Sequence, residues 1–149
     1  MRDGIGDSAP IDHYTGVLYR ALDVPAWSAA ERRYGLAHLV LHDQERGLVT
    51  AGAWESPALD GLVVDARSKE YVRRVAAPTG AWSLRVVTAD DDGRRLAISH
   101  WNKHHKGVLA RALVRDRPRI GSVRALLEWA ADAGVRLEAV GERELDLLV

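Results

Sequence analysis

The chain has 149 residues and a mass of 16.4 kDa, about one ordinary domain. With 47% hydrophobic and 28% charged residues it excludes a disordered chain and carries enough apolar surface for a core. Cysteine is absent, which removes disulfides, thiolate metal sites, cysteine nucleophiles and thiol peroxide chemistry together, and fits a cytoplasmic protein.

No apolar run approaches the roughly 18–20 residues of a membrane helix, and the acidic, Gly-containing start is unlike a signal peptide, so no membrane partner is expected. Formal charge is zero but uneven. Residues 1–93 hold ten basic and fourteen acidic side chains, a net −4. Residues 94–124 hold nine basic side chains against Asp116 alone, a net +8, and the remainder returns −4. Such a basic block steers an anionic partner, or is a solvated helix face beside a coil.

In chain order, MRDGIGDSAPID has no periodicity and reads as a flexible leader over residues 1–11, ahead of a domain over 12–149. Tyr14, Val17, Leu18, Ala21 and Leu22 fall at helical spacing over His13–Asp23. Ser28 and Glu31 form a capping-box pattern for a helix that Gly35 is expected to end. LAHLVL and GLVTA, separated by a polar turn, predict a hairpin. GLVVD at 61–65 predicts a buried strand, and the stretch from Ser68 to Val75 a short helix stopped before Pro78.

The clearest element is a hairpin of WSLRVVT (82–88) and RLAISH (95–100) around an Asp-Gly turn. Helices follow over Asn102–Arg115 and from Ser122 to a Gly134 cap, and VRLEAV and ELDLLV close the chain as strands. The sum is α+β: a single compact domain with a mixed or antiparallel sheet and several short helices.

The segment SHWNKHHKGVLARALVR holds the most chemistry. Asn102 or Ser99 is placed to cap a helix whose first turns carry Lys103, His104, His105 and Lys106. Cations there face the positive end of the helix dipole, a cost of about 0.3–1 kcal/mol each that a bound anion would reverse. At 100° per residue, Val108, Leu109, Ala112 and His105 share one side; Lys103, Lys106, Gly107, Ala110 and Arg111 share the other. Gly107 weakens the helix by about 1 kcal/mol relative to Ala, so it admits either a phosphate to the backbone or a neighbouring helix.

Trp101 beside Asn102 and Lys103 is a base-stacking platform or half-buried core. His100, His104 and His105 lack a carboxylate or cysteine at ligand spacing, so no metal and no cofactor is expected. The anion and nucleic-acid candidates are therefore Trp101, Asn102, Lys103, Lys106, Gly107 and Arg111. A second reading is an enzyme acting on a nucleotide, nucleobase or phosphorylated small molecule. Its pocket would gather Tyr14, Tyr19, Asp65, Ser68 and Tyr71, with Asp65 as acid or base at a strand end, or merely capping the next turn. An interaction-only protein is a third reading. No hydrolase elbow, Walker loop, dinucleotide fingerprint or zinc-protease motif is present.

Three stretches together resemble the YaaA family of bacterial peroxide-stress proteins. Tyr14-Thr-Gly-Val-Leu-Tyr19 is similar to its Y-x-G-x-x-Y segment, and Leu62-Val-Val-Asp65-Ala-Arg-Ser68-Lys-Glu-Tyr71 to its strand and Ser-x-Glu-Tyr-like helix start. Ser99-His-Trp-Asn102-Lys103-His-His-Lys106-Gly107-Val-Leu-Ala110-Arg111 resembles its S-x-x-N/A-K-x-x-K/R-G-x-x-A-R signature. The resemblance implies a DNA-associated cytoplasmic α+β protein with a positively charged cleft and a role in peroxide stress. Family members are usually longer; their opening strand with its Pro-Ser/Ala-x-Lys-type turn has no counterpart here. Arg33-Tyr34-Gly35-Leu36 is similar to a remnant of their central Y-G-L-L-R-P-x-D stretch. A shortened relative with a new role, such as one in a biosynthetic pathway, is the corresponding alternative.

Overall fold

Two apolar clusters, joined by one long helix, organise the protein. The computed structural model describes residues 8–149. Its elements are α1 (Val17–Leu22), α2 (Ala29–His38), β1 (Val40–Asp43), β2 (Gly47–Thr50), β3 (Val64–Asp65), α3 (Lys69–Arg74), β4 (Trp82–Ala89), β5 (Arg95–Ala97), α4 (Asn102–Asp116), α5 (Val123–Asp132), β6 (Leu137–Gly141) and β7 (Glu144–Leu148). Helices and mixed strands make a single α+β domain, as the sequence leads one to expect. Among the described residues no helix is long and apolar enough to cross a membrane.

The larger sheet runs β3-β4-β7-β6, with β5 also paired to β4. β3 and β7 flank β4 in parallel, whereas β5 meets β4, and β6 meets β7, antiparallel. Parallel neighbours require a crossover, supplied between β4 and β7 by α4 and α5. On one face Leu84, Val86, Leu137, Leu145 and Leu147 pack against Leu109 of α4 and Leu126 and Ala130 of α5. The β1–β2 hairpin centres the second cluster, where Leu41, Val49 and Ala51 meet Ile11, Leu22 and, from α4, Ala110.

Several expectations need correction. Residues 1–7 lie outside the described residues, but Ala9, Pro10 and Ile11, expected in the leader, are buried, Ala9 and Ile11 within the hairpin cluster. The helix expected over His13–Asp23 is shortened to α1, which starts only after Gly16, whose φ is 120°; a separate 3-10 turn at Pro10–His13 precedes it. Ser28 and Glu31 do form the capping box, but α2 runs through Gly35 to His38. Gly35 is needed inside the helix, because a Cβ there would lie 2.7 Å from Cη2 of Trp27. The strand expected over 61–65 is reduced to the half-buried Val64–Asp65.

The faces of α4 also differ from expectation. Lys106 and Gly107 are buried, and Val108 is exposed. A Cβ on Gly107 would overlap the Leu18 carbonyl oxygen of α1 and lie 2.8 Å from Ala21 Cβ. What approaches this glycine is helix α1, as the helix-packing alternative requires, and no opening exists beside it for a phosphate.

Candidate functional site

A corner forms where β1, β3, α3 and α4 meet. Asp65 ends β3 with its side chain only 8% exposed. One residue intervenes before Arg67, so the guanidinium folds back onto the carboxylate. Arg67 Nε donates to Oδ1 at 3.0 Å and Nη2 to Oδ2 at 2.7 Å, while the Arg67 backbone N–H donates to Oδ1 at 3.0 Å. Burial alone would raise the Asp65 pKa; the bonds and charge of Arg67 outweigh it and hold the carboxyl below its usual range. An ionised carboxylate this heavily bonded is an anchor for Arg67 and a poor proton acceptor, so the sequence expectation of Asp65 as acid or base is not supported by its surroundings.

Arg67 Nη1 also donates to Nδ1 of His42, at 2.9 Å. Arginine only donates, so Nδ1 carries no proton and the imidazole is neutral with its hydrogen on Nε2. Burial, then the charges of Arg67 and Arg74, push the His42 pKa down. The Tyr71 ring meets His42 edge-on at 5.6 Å, with the Arg74 guanidinium 5.5 Å from the tyrosine centroid. Ser68 sits at the α3 N-cap without a side-chain cap bond.

Lys106 approaches from α4. It is 9% exposed and forms no hydrogen bond or ion pair with any described residue. Burial lowers its pKa, the charge of Asp65 opposes that shift, and Lys103 adds to it. Among the described residues Asp65 is thus the one opposite charge acting on Lys106, and Arg67 already holds it.

The other sequence-derived candidates go elsewhere. Arg111 pairs with Glu31 at 3.3 Å, so it braces α4 against α2. Trp101 occupies the N-cap of α4 and Asn102 its first helical position, with the Asn102 amide donating to the Ser99 carbonyl; no side chain caps the helix. Trp101 is 54% exposed and stacks on His104 at 4.6 Å, and His105 meets His104 edge-on. Lys103 is exposed. Among the described residues no three or more His, Cys, Asp or Glu are placed to hold a metal.

Tyr14 and Tyr19 do not join Asp65. Tyr14 OH donates to Asp43 Oδ1 at 2.7 Å and stacks on Tyr19 at 5.5 Å. Burial, then the Asp43 bond, raises the Tyr14 pKa. Asp43 and His42 are consecutive on β1, so their side chains leave opposite faces of the hairpin, one to the tyrosines and one to Arg67. The five residues expected in one pocket therefore fall in two groups.

A cavity of about 350 Å³ lies against the corner, lined by Asp65, Arg67, Lys69 and Arg73 together with Val72, Ala77, Ala81, Trp82 and Ser83. The sequence reading missed His42, Arg67 and Trp82. The Asp-x-Arg spacing was a usable signal for the clamp; nothing local marked His42 as its third member.

No protein-family model matches the chain. It is 31% identical to a UPF0246 protein of Streptomyces coelicolor over 162 aligned positions, covering 85% of this chain and 60% of that relative. A UPF0246 protein of Corynebacterium efficiens is 36% identical over 80 residues, and one of Corynebacterium glutamicum 35% over 77, covering 32% and 31% of their lengths. The chain thus spans between about a third and three fifths of the length of these curated relatives. These matches relate the chain to the UPF0246 proteins, the family to which YaaA belongs.

Proposed function

We propose that the protein binds a phosphate-bearing ligand at the corner of Arg67, Lys103 and Lys106. The observation that carries this is Lys106 itself, a mostly buried lysine whose ammonium group keeps contact with solvent and has no direct partner among the described residues. Burying an ammonium group costs several kcal/mol unless an anion meets it. Lys103 adds a second cation beside it, and the Asp65 carboxylate that opposes them is already held by Arg67. The uncapped start of α4 adds unsatisfied N–H groups of the same polarity. Gly107 and Arg111 drop out of the proposed contact set, since α1 and Glu31 occupy them.

One observation favours nucleic acid as the ligand class: the exposed Trp101–His104 stack beside Lys103 offers a face for a base next to a cation for its phosphate. The cytoplasmic role in peroxide stress implied by the likeness to YaaA belongs to the same proposal. This chain has no cysteine, so protection would come from binding and not from thiol chemistry.

The test is thermal unfolding with inorganic phosphate, a mononucleotide and a short DNA duplex, each at two salt concentrations, for the wild type and Lys106→Met. A ligand at 100 times its Kd adds about 2.7 kcal/mol of stability. Stabilisation of the wild type that is lost in K106M supports the corner. A response dominated by duplex and falling steeply with salt assigns the ligand to nucleic acid. No shift with any of the three refutes the proposal.

A further inference from the structure

We propose that the guest of the α3–β4 cavity is a mononucleotide-sized molecule, a flat heterocycle joined to a phosphate, with its ring against Trp82 and its phosphate toward Lys69 and Arg73. The inference rests on the anion-binding reading above through Arg67, which this cavity shares with that corner; Lys103 and Lys106 do not line it, and Lys69 and Arg73 supply its other cations. Two kinds of surface meet in this cavity. Val72, Ala77, Ala81 and Trp82 form an apolar wall, and Arg67, Lys69 and Arg73 bring three cations against the one carboxylate of Asp65. A bare ion would leave the apolar wall wet, and a purely apolar guest would leave the cations unused.

Trp82 and Arg67 are held in place, whereas Lys69 and Arg73 are exposed. Trp82 opens β4, where its N–H donates to the Val63 carbonyl at 2.8 Å and it pairs with Val64 in the parallel β3–β4 ladder. Arg67 is fixed by Asp65 and His42. Lys69 and Arg73 are four residues apart on α3, hence on one face, and neither forms an ion pair with a described residue. The volume of about 350 Å³ lies near the lower end of the roughly 300–1,000 Å³ typical of small-molecule sites. That volume is on the scale of one nucleotide.

Titration calorimetry with adenosine monophosphate, ribose 5-phosphate and inorganic phosphate tests this on the wild type, Trp82→Leu, Trp82→Phe and the double variant Lys69→Ala/Arg73→Ala. The nucleotide should bind roughly tenfold more tightly than ribose 5-phosphate, a typical return for stacking one ring. W82L should erase that difference while keeping the ribose 5-phosphate affinity, W82F should retain part of it, and the double variant should weaken both ligands about tenfold. Circular dichroism establishes that each variant is folded; if W82L is not, W82F and the double variant decide. Equal binding of nucleotide and ribose 5-phosphate overturns the heterocycle inference and leaves the anion reading standing. Binding of none of the three overturns this inference, and the anion reading then falls only if the DNA duplex also fails to stabilise the protein.

Discussion

The protein contains two clusters built on a buried aspartate, and they differ in how their charges balance. On the sheet, Asp146 of β7 is 1% exposed and is held by Arg85 Nε at 3.1 Å and Arg95 Nη1 at 3.2 Å, while Arg95 Nη2 reaches Glu138 at 2.7 Å. Two guanidinium groups meet two carboxylates across four strands, and the set is neutral. At the other cluster Asp65 is held by Arg67 and also acts on Lys106, which Lys103 opposes, while a neutral His42 lies under the charges of Arg67 and Arg74 and of Asp65 and Asp43. A matched set needs nothing further and locks strands together. A mostly buried lysine without an ion pair, as Lys106 is among the described residues, is costly in the free protein, and an arriving anion lowers that cost.

Breaking the matched set has the largest expected effect. Asp146→Ala removes the acceptor that joins β4, β5 and β7. It should cost roughly 3 kcal/mol in urea unfolding, with both arginines partly relieved by their own access to water. Burial alone would raise the Asp146 pKa, but Arg85 and Arg95 outweigh it and hold the group below its usual value. This stabilisation is therefore fully present above the unfolded pKa of about 3.9 and is lost as pH falls through the lower folded value. The difference between wild type and D146A should shrink only in that acidic window.

Next in size is Gly107→Ala. If the glycine kept a path open to the backbone, alanine would stabilise the helix by about 1 kcal/mol. Because α1 already fills the space, the new methyl must displace the Leu18 carbonyl, and a net loss of about 2 kcal/mol is expected. A rise in melting temperature would reverse this account of the helix interface.

Local structure was legible in the sequence, and long-range structure was not. The capping box at Ser28 and Glu31 and the Asp-Gly hairpin depend on neighbours a few residues away, and both are present. The parallel pairing of β4 with β7 depends on residues far apart in the chain, with no local mark to announce it. The same division holds at the site. A glycine flanked by cations has two physical explanations, and only the position of α1 decides between them. Lys106 was found as a charge, but its burial follows from α4 bridging two clusters, which helical periodicity cannot express.

A smaller effect of opposite sign sharpens the comparison. Removing charge from the unmatched cluster, through Lys106→Met, should raise the stability of the free protein by about 1 kcal/mol while abolishing its response to phosphate. Chemical denaturation with and without phosphate reads both quantities. Loss of stability in K106M would mean that Lys106 is matched after all, and the contrast with Asp146 would collapse.

The smallest expected effect belongs to His42 and shows only as a pH dependence. Its Nδ1 accepts from Arg67, so protonation forfeits that bond and sets an imidazolium against Arg67 and Arg74, with Asp65 and Asp43 as partial compensation. The folded pKa lies below the unfolded value of about 6.5. The stability this linkage supplies is complete above pH 6.5 and is lost as pH falls through the folded pKa. His42→Asn offers an amide oxygen to the same guanidinium but does not titrate. Between pH 7 and 5 the wild type should lose stability relative to H42N, well above the window in which Asp146 acts. Parallel stability profiles across that range would mean that His42 is protonated without penalty, and that Arg67 is held by Asp65 alone.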